Sequence, residues 1–445
     1  MDLTEGPVAK TLILFSLPFM VSTLLQTLYS TVDTIVVGQY LGSAGLSGVS
    51  NGSQLMQLIY MMVIGFSSAG QVLIAQSKGA GDIDRINKSV GTLFYYVLGI
   101  SLVLGAICVV FSEQLLTLLN TPAEAFYYAK DYIVICGWGM IFTGFYNMFS
   151  SILRGMGDSR HPLIFVAIAS GINLILDVVF IAWFQWGVAG AAYATIIGQA
   201  ISVLFCFYYL TGHAEEIGFR FRVKELRFDG RSGKEMVVLG IPMMLQSAAI
   251  HFSVLFVNAL VNVLGVDVSA AFGVSSKLRN LPGILTQGMS MGCVSMIGQN
   301  LGAGRKDRVA STINWGIGIC AIICAAFGII FLGLPTICFR LFTQDEAVLA
   351  FAGMTMFTLA CEMPAKSVMS ACNALINAQG FVKFSLVIAF IDAFAGRVFL
   401  SWLLGIFFNL GAFGFFMGFT LATYLTAIPA LIYYLSGLWK KRELL

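Results

Sequence analysis

Charged residues are scarce in this chain of 445 residues. Only 11% are Asp, Glu, Lys or Arg, whereas about a quarter are charged in soluble proteins. Hydrophobic residues make up 58% of the chain, and its mean hydropathy is +0.88. The net charge of +3 leaves no basic face that would neutralise many phosphates, which excludes nucleic acid as a partner. This composition excludes an ordinary soluble protein and predicts one whose partner is the lipid bilayer.

Patterns that hold metals or form disulfides are also missing. The three histidines have no second ligand at metal-binding spacing, and the nine cysteines contain no Cys-x-x-C pair. We interpret the cysteines, which lie within or beside apolar stretches, as small buried hydrophobic residues. Without a metal or nucleophile constellation, the sequence predicts no enzyme and no cofactor.

Twelve long apolar stretches fill most of the chain. Each exceeds the roughly 20 residues needed to cross a bilayer as a helix. They lack period-two alternation, so helices, which close their own backbone hydrogen bonds, are predicted rather than barrel strands. The predicted spans are 9–37, 46–75, 89–112, 130–153, 162–184, 188–210, 234–263, 268–297, 311–335, 349–377, 382–407 and 411–438.

Basic residues mark the sides of the membrane. With twelve spans, 19 of the 25 basic residues fall on one side, in the termini and alternate connections. Such an excess is typical of the cytoplasmic side. We therefore expect a multi-pass protein of the cell inner (plasma) membrane with both termini in the cytoplasm, functioning as a monomer.

The two halves of the chain repeat each other in a nearly constant register. The anchors are Leu17–Met20 with Ile241–Met244, Ile74–Arg85 with Ile297–Arg308, and Gly187–Gly190 with Gly411–Gly414. We predict an N-lobe of helices 1–6 (1–211), a cytoplasmic linker (212–233) and a C-lobe of helices 7–12 (234–445). The fold class is all-α integral membrane, with two six-helix bundles related by a pseudo-two-fold along the membrane normal. A cleft between such bundles favours a transporter that works by alternating access.

Away from the ends of its spans, the first half contains two acidic residues, Asp33 and Asp177, and no basic residue. Tyr29 precedes Asp33 by one helical turn, Asn173 precedes Asp177 by four residues, and Thr195 lies in a stretch of small residues. A carboxyl group without a counter-ion can take up and release a proton, and these oxygens together could equally bind Na⁺. We predict a coupling-ion site for H⁺ or Na⁺ at Asp33, Asn173, Asp177 and Thr195. The alternative is that the carboxylates lie near helix ends or only bond neighbouring helices.

Prolines and second-half charges allow two interpretations each. Pro18 and its repeat partner Pro242 could bend during transport or form static kinks. Four of the charged residues in the second-half spans could form a paired network, or one acid among them could attract a cationic substrate. They are Glu362, Lys366, Asp392 and Arg397.

The substrate cleft is expected to be adaptable. Glu362, Met289 and Met363 are candidates for it, because methionine offers flexible, polarisable surface to varied apolar ligands. Ordinary packing accounts for methionines in spans equally well.

The motifs together resemble one transporter family. They are Val32–Gly38, Gln76–Gly81 with its repeat Gln299–Gly304, Asn173 with Asp177, and Gly190–Thr195. With the duplicated twelve-span layout, they resemble the multidrug and toxic compound extrusion (MATE) transporters, with a first half similar to the prokaryotic DinF-like branch. The resemblance implies a V-shaped pair of bundles that exports organic cations or other amphipathic compounds in exchange for H⁺ or Na⁺. The family's N-lobe site would fall on Asp33, Asn173, Asp177 and Thr195, with Tyr29 nearby and Pro18 at the bend.

A related flippase for lipid-linked precursors is the main alternative. It would share the bundles and the repeat, but a pyrophosphate substrate calls for a strongly cationic cavity, and few Lys or Arg residues lie in the spans. A channel fits less well, because a duplicated bundle with embedded acids favours alternating access.

Overall fold

The computed structural model describes residues 1–118, 121–219 and 226–442, apart from the side chains of residues 43, 44 and 214–217. Every regular segment in these ranges is helical, which confirms the predicted all-α class. Three basic residues of the predicted linker lie outside the described residues: Arg220, Arg222 and Lys224.

Sixteen α-helices, some with π-helical stretches, follow one another along the described chain, and a short 3-10 helix, Leu438–Lys440, comes after them. They are α1 Val8–Gly42, α2 Gly45–Ala80, α3 Ile83–Val110, α4 Ser112–Leu118, α5 Ala123–Trp138, α6 Met140–Gly155, α7 Arg160–Trp183, α8 Gly187–His213, α9 Gly230–Asn262, α10 Val266–Gly302, α11 Lys306–Gly333, α12 Pro335–Arg340, α13 Glu346–Leu349, α14 Ala352–Ala378, α15 Val382–Phe407 and α16 Gly411–Leu435.

Most of these helices can cross a membrane. Among the described residues, nine are long and apolar enough by themselves, and α5 with α6 form one further span that is bent by 53°. The helices α10 and α14 are 37 and 27 residues long but carry more polar residues, including buried charges, and fall outside that set. Together these segments match the twelve predicted spans in position.

The bend between α5 and α6 lies inside the predicted span 130–153 and was not evident from its continuous apolar pattern. Gly139 occupies the break. A Cβ there would lie 2.3 Å from the side chain of Ile196 on α8. Glycine therefore lets α8 pack directly against the bend.

The chain folds into two compact units. Unit 1 consists of Met1 and Val21–Met244, and unit 2 of Asp2–Met20 and Leu245–Leu445. Pro18 and Pro242 each lie two residues before a point at which the chain passes from one unit to the other. Each proline removes one backbone hydrogen bond from its helix at that passage.

Each unit is built around closely packed helices. In unit 1, α8 packs against α5, α6 and α7, and α3 packs against α6. In unit 2, α14 packs against α10, α11 and α16. The side chains of α14 and α10 that face this centre include Glu362, Met363, Met289 and Arg279, all buried. Of the four charged residues considered in the second-half spans, Glu362 and Lys366 thus lie on α14 at this centre, whereas Asp392 and Arg397 lie on α15.

The turns that precede α8 and α16 share an unusual backbone. Gln185 and Asn409 both have φ of 54°, and Gly187 and Gly411 follow with φ of 62° and 55°. The hydrogen bonds correspond as well: Trp186 N–H donates to the Phe180 carbonyl at 2.9 Å and Leu410 N–H to the Leu404 carbonyl at 3.1 Å. This anchor of the sequence repeat therefore folds in the same way in both halves.

The turns after α2 and α10 correspond in the same manner. Gly81 and Gly304 have φ of 71° and 72°, the left-handed conformation that ends many helices. The backbone N–H groups of Asp82 and Arg305 donate to the carbonyls of Ser77 and Asn300, at 3.0 and 2.8 Å. The repeated Gly-Ala-Gly sequence thus has a structural cause, because only glycine adopts this conformation without strain.

Candidate functional site

Two carboxyl groups meet inside unit 1. Asp33 lies on α1 and Asp177 on α7, and their side chains are at hydrogen-bonding distance from each other. Asp177 is fully buried, and the Oδ1 atoms of both residues are shielded from solvent. Within the described part of the chain neither carboxyl group is in an ion pair with Lys, Arg or His. The structure therefore brings together two acids that are far apart in sequence.

Asn173 links Asp177 to α8. In the amide orientation that satisfies both neighbours, its Nδ2 donates to Asp177 Oδ2 at 3.2 Å, and its oxygen accepts from the Thr195 backbone N–H at 3.2 Å. The Thr195 hydroxyl donates to the Ala191 carbonyl at 3.0 Å. The spacing of four residues places Asn173 and Asp177 on one face of α7, and the glycine and alanine residues around Ala191 let α8 approach that face.

The helix geometry changes immediately after Asp177. The residues Val178–Trp183 form a wider π-helical stretch of α7. Such stretches leave a helix with altered hydrogen bonding and are frequent at functional sites. The carboxyl pair therefore lies at the boundary between two helix geometries.

A pocket in unit 1 adjoins this cluster. Its polar lining includes Gln26, Tyr29, Asn173, Thr195 and Gln199. All of these side chains are uncharged, so the two carboxyl groups supply the negative charge nearby. Carboxyl, amide and hydroxyl oxygens next to an open pocket can exchange a proton or bind a hard monovalent cation.

The other predicted site residues lie elsewhere. Pro242 belongs to unit 1, whereas Pro18, Glu362, Met289 and Met363 belong to unit 2. Met289 and Met363 are 1% and 3% exposed and lie in the hydrophobic core. Glu362 is bonded to Arg279 and lies near Lys366, as described below.

One buried charged residue, Arg279, was not among the site residues predicted from the sequence. Arg279 lies on α10 within the predicted span 268–297 and is 8% exposed. A basic residue in an apolar span is costly and should have attracted notice, but its acidic partner is on another helix and could not be assigned from spacing.

The sequence profile described as MatE matches twice, at residues 18–179 and 242–403. The second match begins at Pro242, the repeat partner of Pro18 at which the first begins, as the sequence repeat predicts. The chain belongs to the MatE family.

Curated relatives cover almost the whole chain. The chain is 29% identical to "Probable multidrug resistance protein YpnP" of Bacillus subtilis (strain 168), over 100% of this chain and 98% of the relative. It is 24% identical to "Multidrug export protein MepA" of Staphylococcus aureus (strain NCTC 8325 / PS 47), over 85% and 81% of the two chains. These relatives are named as multidrug resistance or export proteins.

The fold is shared with solved transporters. A structure titled as the outward-facing conformation of a multidrug resistance MATE family transporter has a TM-score of 0.93 at 21% identity, covering 99% of this chain and 98% of that one. The protein is therefore an all-helical, multi-pass membrane protein with the twelve-helix fold of this family. Because the family is one of transporters, the chain is a transporter and not an enzyme.

Proposed function

We propose that the protein is a secondary active multidrug efflux antiporter of the plasma membrane. It exports organic cations or other amphipathic compounds in exchange for H⁺ or Na⁺, as a monomer with both termini in the cytoplasm. The observation that carries the proposal is the contact between the carboxyl groups of Asp33 and Asp177 beside an open pocket. The names of the relatives support the choice of substrates.

The carboxyl pair suits ion exchange because two negative charges in contact repel each other. One proton shared between Asp33 and Asp177, or one Na⁺ bound to their oxygens, relieves that repulsion. Loss of the ion leaves two charges that separate or attract a cation. The occupied and empty states of the pair therefore favour different positions of α1 relative to α7.

In the proposed cycle, ion binding and substrate binding oppose each other. When no ion is bound to the carboxyl pair, the protein favours the state that binds the substrate. Binding of the coupling ion from outside lowers the affinity of the protein for the substrate. The N-lobe (1–211) and C-lobe (234–445) then rock, with bends at Pro18 and Pro242, and expose the cleft to the other side. This exchange is alternating access driven by the ion gradient.

Transport in everted membrane vesicles tests the site. We expect Asp33→Asn and Asp177→Asn each to reduce gradient-driven uptake of a cationic dye by about 5- to 150-fold. This range of fold-changes corresponds to the coupling free energies that are typical between two binding sites. Imposing ΔpH and a Na⁺ gradient in separate experiments identifies the ion, because only the coupling ion drives uptake in the unmodified protein.

The matched control is Asp267→Asn, because Asp267 is an exposed acid at the start of α10. It removes one carboxylate and should leave uptake unchanged. Uptake that survives both Asp33→Asn and Asp177→Asn at the level of this control would contradict the assignment.

A further inference from the structure

Five charged side chains are clustered inside unit 2, away from the carboxyl pair. Arg279 Nε donates to Glu362 Oε2 at 2.7 Å, and Lys366 Nζ lies 3.7 Å from Glu362 Oε1. Arg397 forms two hydrogen bonds with Asp392, each of 3.2 Å. The side chains of all five are at most 14% exposed. They form one buried cluster, which we call the C-lobe charge cluster.

The C-lobe charge cluster is not neutral. It contains three cations and two carboxylates, so one positive charge has no counterpart among its members. In addition, Arg279 Nη2 is buried and has no hydrogen-bond acceptor among the described residues. Lys366 Nζ donates to the Arg279 backbone carbonyl at 3.2 Å, which carries no net charge. A buried, unpaired guanidinium donor costs free energy unless an acceptor reaches it.

An aromatic ring compensates only part of this charge. Phe419 lies against both guanidinium groups, with its ring centre 4.0 Å from Arg279 Cζ and 4.7 Å from Arg397 Cζ. A cation–π contact is attractive but supplies no negative charge and no hydrogen-bond acceptor. One positive charge of the cluster is therefore left without a compensating negative charge among its members.

The internal repeat pairs one cation of the C-lobe charge cluster with a residue of the carboxyl site in unit 1. In the register that pairs the starts of the two MatE matches, Asn173 corresponds to Arg397 and Thr195 to Phe419. The two acids of unit 1 correspond to uncharged residues: Asp33 to Val257 and Asp177 to Ser401. The second half thus carries a guanidinium group at the repeat position of Asn173 and has no acid at the repeat positions of Asp33 and Asp177.

A glycine lies beside the lysine of the cluster. Gly283 on α10 is half-buried, and only Lys366 atoms lie within 4 Å of a Cβ built at this glycine, with Nζ at 3.5 Å. A larger residue at position 283 would occupy the space next to the ammonium group. Glycine at this position leaves that approach open.

We propose that the C-lobe charge cluster is a binding site for a monoanion. The single negative charge of the bound anion makes the cluster neutral. An oxygen atom of the anion, or the halide ion itself, accepts hydrogen bonds from Arg279 Nη2 and Lys366 Nζ. Both the carboxylate of an amphipathic compound and a free inorganic anion such as chloride have this chemistry. Only the use of the site for a transported carboxylate rests on the proposed efflux function; the binding itself does not.

Binding to the purified full-length protein in detergent, without any gradient, tests the proposal. The probe is a dansyl-labelled long-chain carboxylate, and its methyl ester is the uncharged control. We expect the carboxylate to bind and the ester to bind at least about tenfold more weakly, because it lacks the charge-assisted hydrogen bonds. Titration with chloride distinguishes a free inorganic anion from an amphipathic carboxylate as the ligand. If chloride displaces the probe, an inorganic anion is sufficient for binding. If chloride does not displace it, the amphipathic carboxylate is required.

Variants of the cluster distinguish the contribution of its excess positive charge to anion binding from that of the unpaired Arg279 Nη2 donor. Lys366→Gln removes the excess positive charge, and the double variant Arg279→Gln with Glu362→Gln keeps the net charge but removes the unpaired Nη2 donor. Both should weaken binding by about tenfold or more, whereas Lys366→Arg should retain it. Gly283→Leu should block binding without changing any charge. Thermal unfolding in detergent checks that each variant is folded.

Lys277→Gln is the matched control, since Lys277 is an exposed cation on the same helix and its loss should leave binding unchanged. The proposal is overturned if folded Lys366→Gln or Gly283→Leu binds the probe like the unmodified protein, or if the carboxylate probe does not bind the unmodified protein. Asp33→Asn should bind the anion normally, so failure of the coupling site and failure of this site are distinguishable.

Discussion

At the scale of single residues, Asn173 is the link that holds Asp177 in place. Its amide bonds both Asp177 Oδ2 and the backbone N–H of Thr195. We expect Asn173→Ala to raise the coupling-ion concentration for half-maximal uptake by about 2- to 13-fold, the effect of losing one hydrogen bond worth about 0.5–1.5 kcal/mol. Maximal uptake should change less than in Asp177→Asn, because both carboxyl groups remain. Vesicle uptake measured over a range of ion concentrations gives both values.

Thr195→Val is a control within the same cluster. The Thr195 hydroxyl bonds a carbonyl of its own helix, and the backbone N–H that Asn173 uses is unaffected by the substitution. Thr195→Val should therefore shift the half-maximal concentration less than Asn173→Ala. The reverse order would mean that the hydroxyl itself binds the ion.

The sequence could predict some of these relationships and not others. The spacing of Asn173 and Asp177 places them on one helical face, because α-helical geometry depends only on local separation. The contact of Asp33 with Asp177 depends on how α1 packs against α7, which spacing does not determine. Arg279 and Glu362 are likewise 83 residues apart in sequence, so their pairing follows from the packing of α10 on α14.

At the scale of helices, Gly414 marks a close approach of α16 to α15. A Cβ at this position would lie 2.4 Å from the Leu404 carbonyl carbon and oxygen, which are backbone atoms and cannot rotate away. We expect Gly414→Ala to destabilise the protein by about 1–3 kcal/mol through overpacking. Thermal unfolding in detergent should show a lower midpoint.

Gly318→Ala provides the comparison. Gly318 lies within α11, and nothing is within 4 Å of a Cβ built there. Alanine should leave the midpoint unchanged or raise it, since it favours the helix by up to about 1 kcal/mol. Equal losses in the two variants would show that the close approach at Leu404 does not determine the effect.

The positions of the helices could be predicted from hydropathy, because each membrane span must form its backbone hydrogen bonds within itself. The exceptions have local causes. The apolar run 130–153 gave no sign of the bend at Gly139, where Ile196 of another helix leaves no room for a Cβ. The break at Gly42, with φ of 64° and ψ of −165°, lies in the predicted connection between the first two spans, because glycine and small residues interrupt the apolar pattern there.

At the scale of the whole molecule, α1 and α9 are the two helices along which the chain passes from one unit to the other. The residues Asp2–Met20 belong to unit 2 and the first part of α9 to unit 1, so α1 and α9 are each shared between units. Each shared helix contains a proline two residues before its passage, Pro18 or Pro242. If the units move during transport, these helices must deform, and the missing hydrogen bond at proline lowers the cost of deformation.

Pro242→Ala tests this role against Pro429→Ala. Pro429 lies within α16, which belongs entirely to unit 2. Both substitutions restore a backbone donor, so both should raise the unfolding midpoint or leave it unchanged. Only Pro242→Ala should slow vesicle uptake, by about fivefold or more if straightening α9 costs the cycle about 1 kcal/mol. If both variants slow uptake equally, a general increase in helix stiffness causes the effect. If only Pro242→Ala slows uptake, α9 bends where the chain passes between the units.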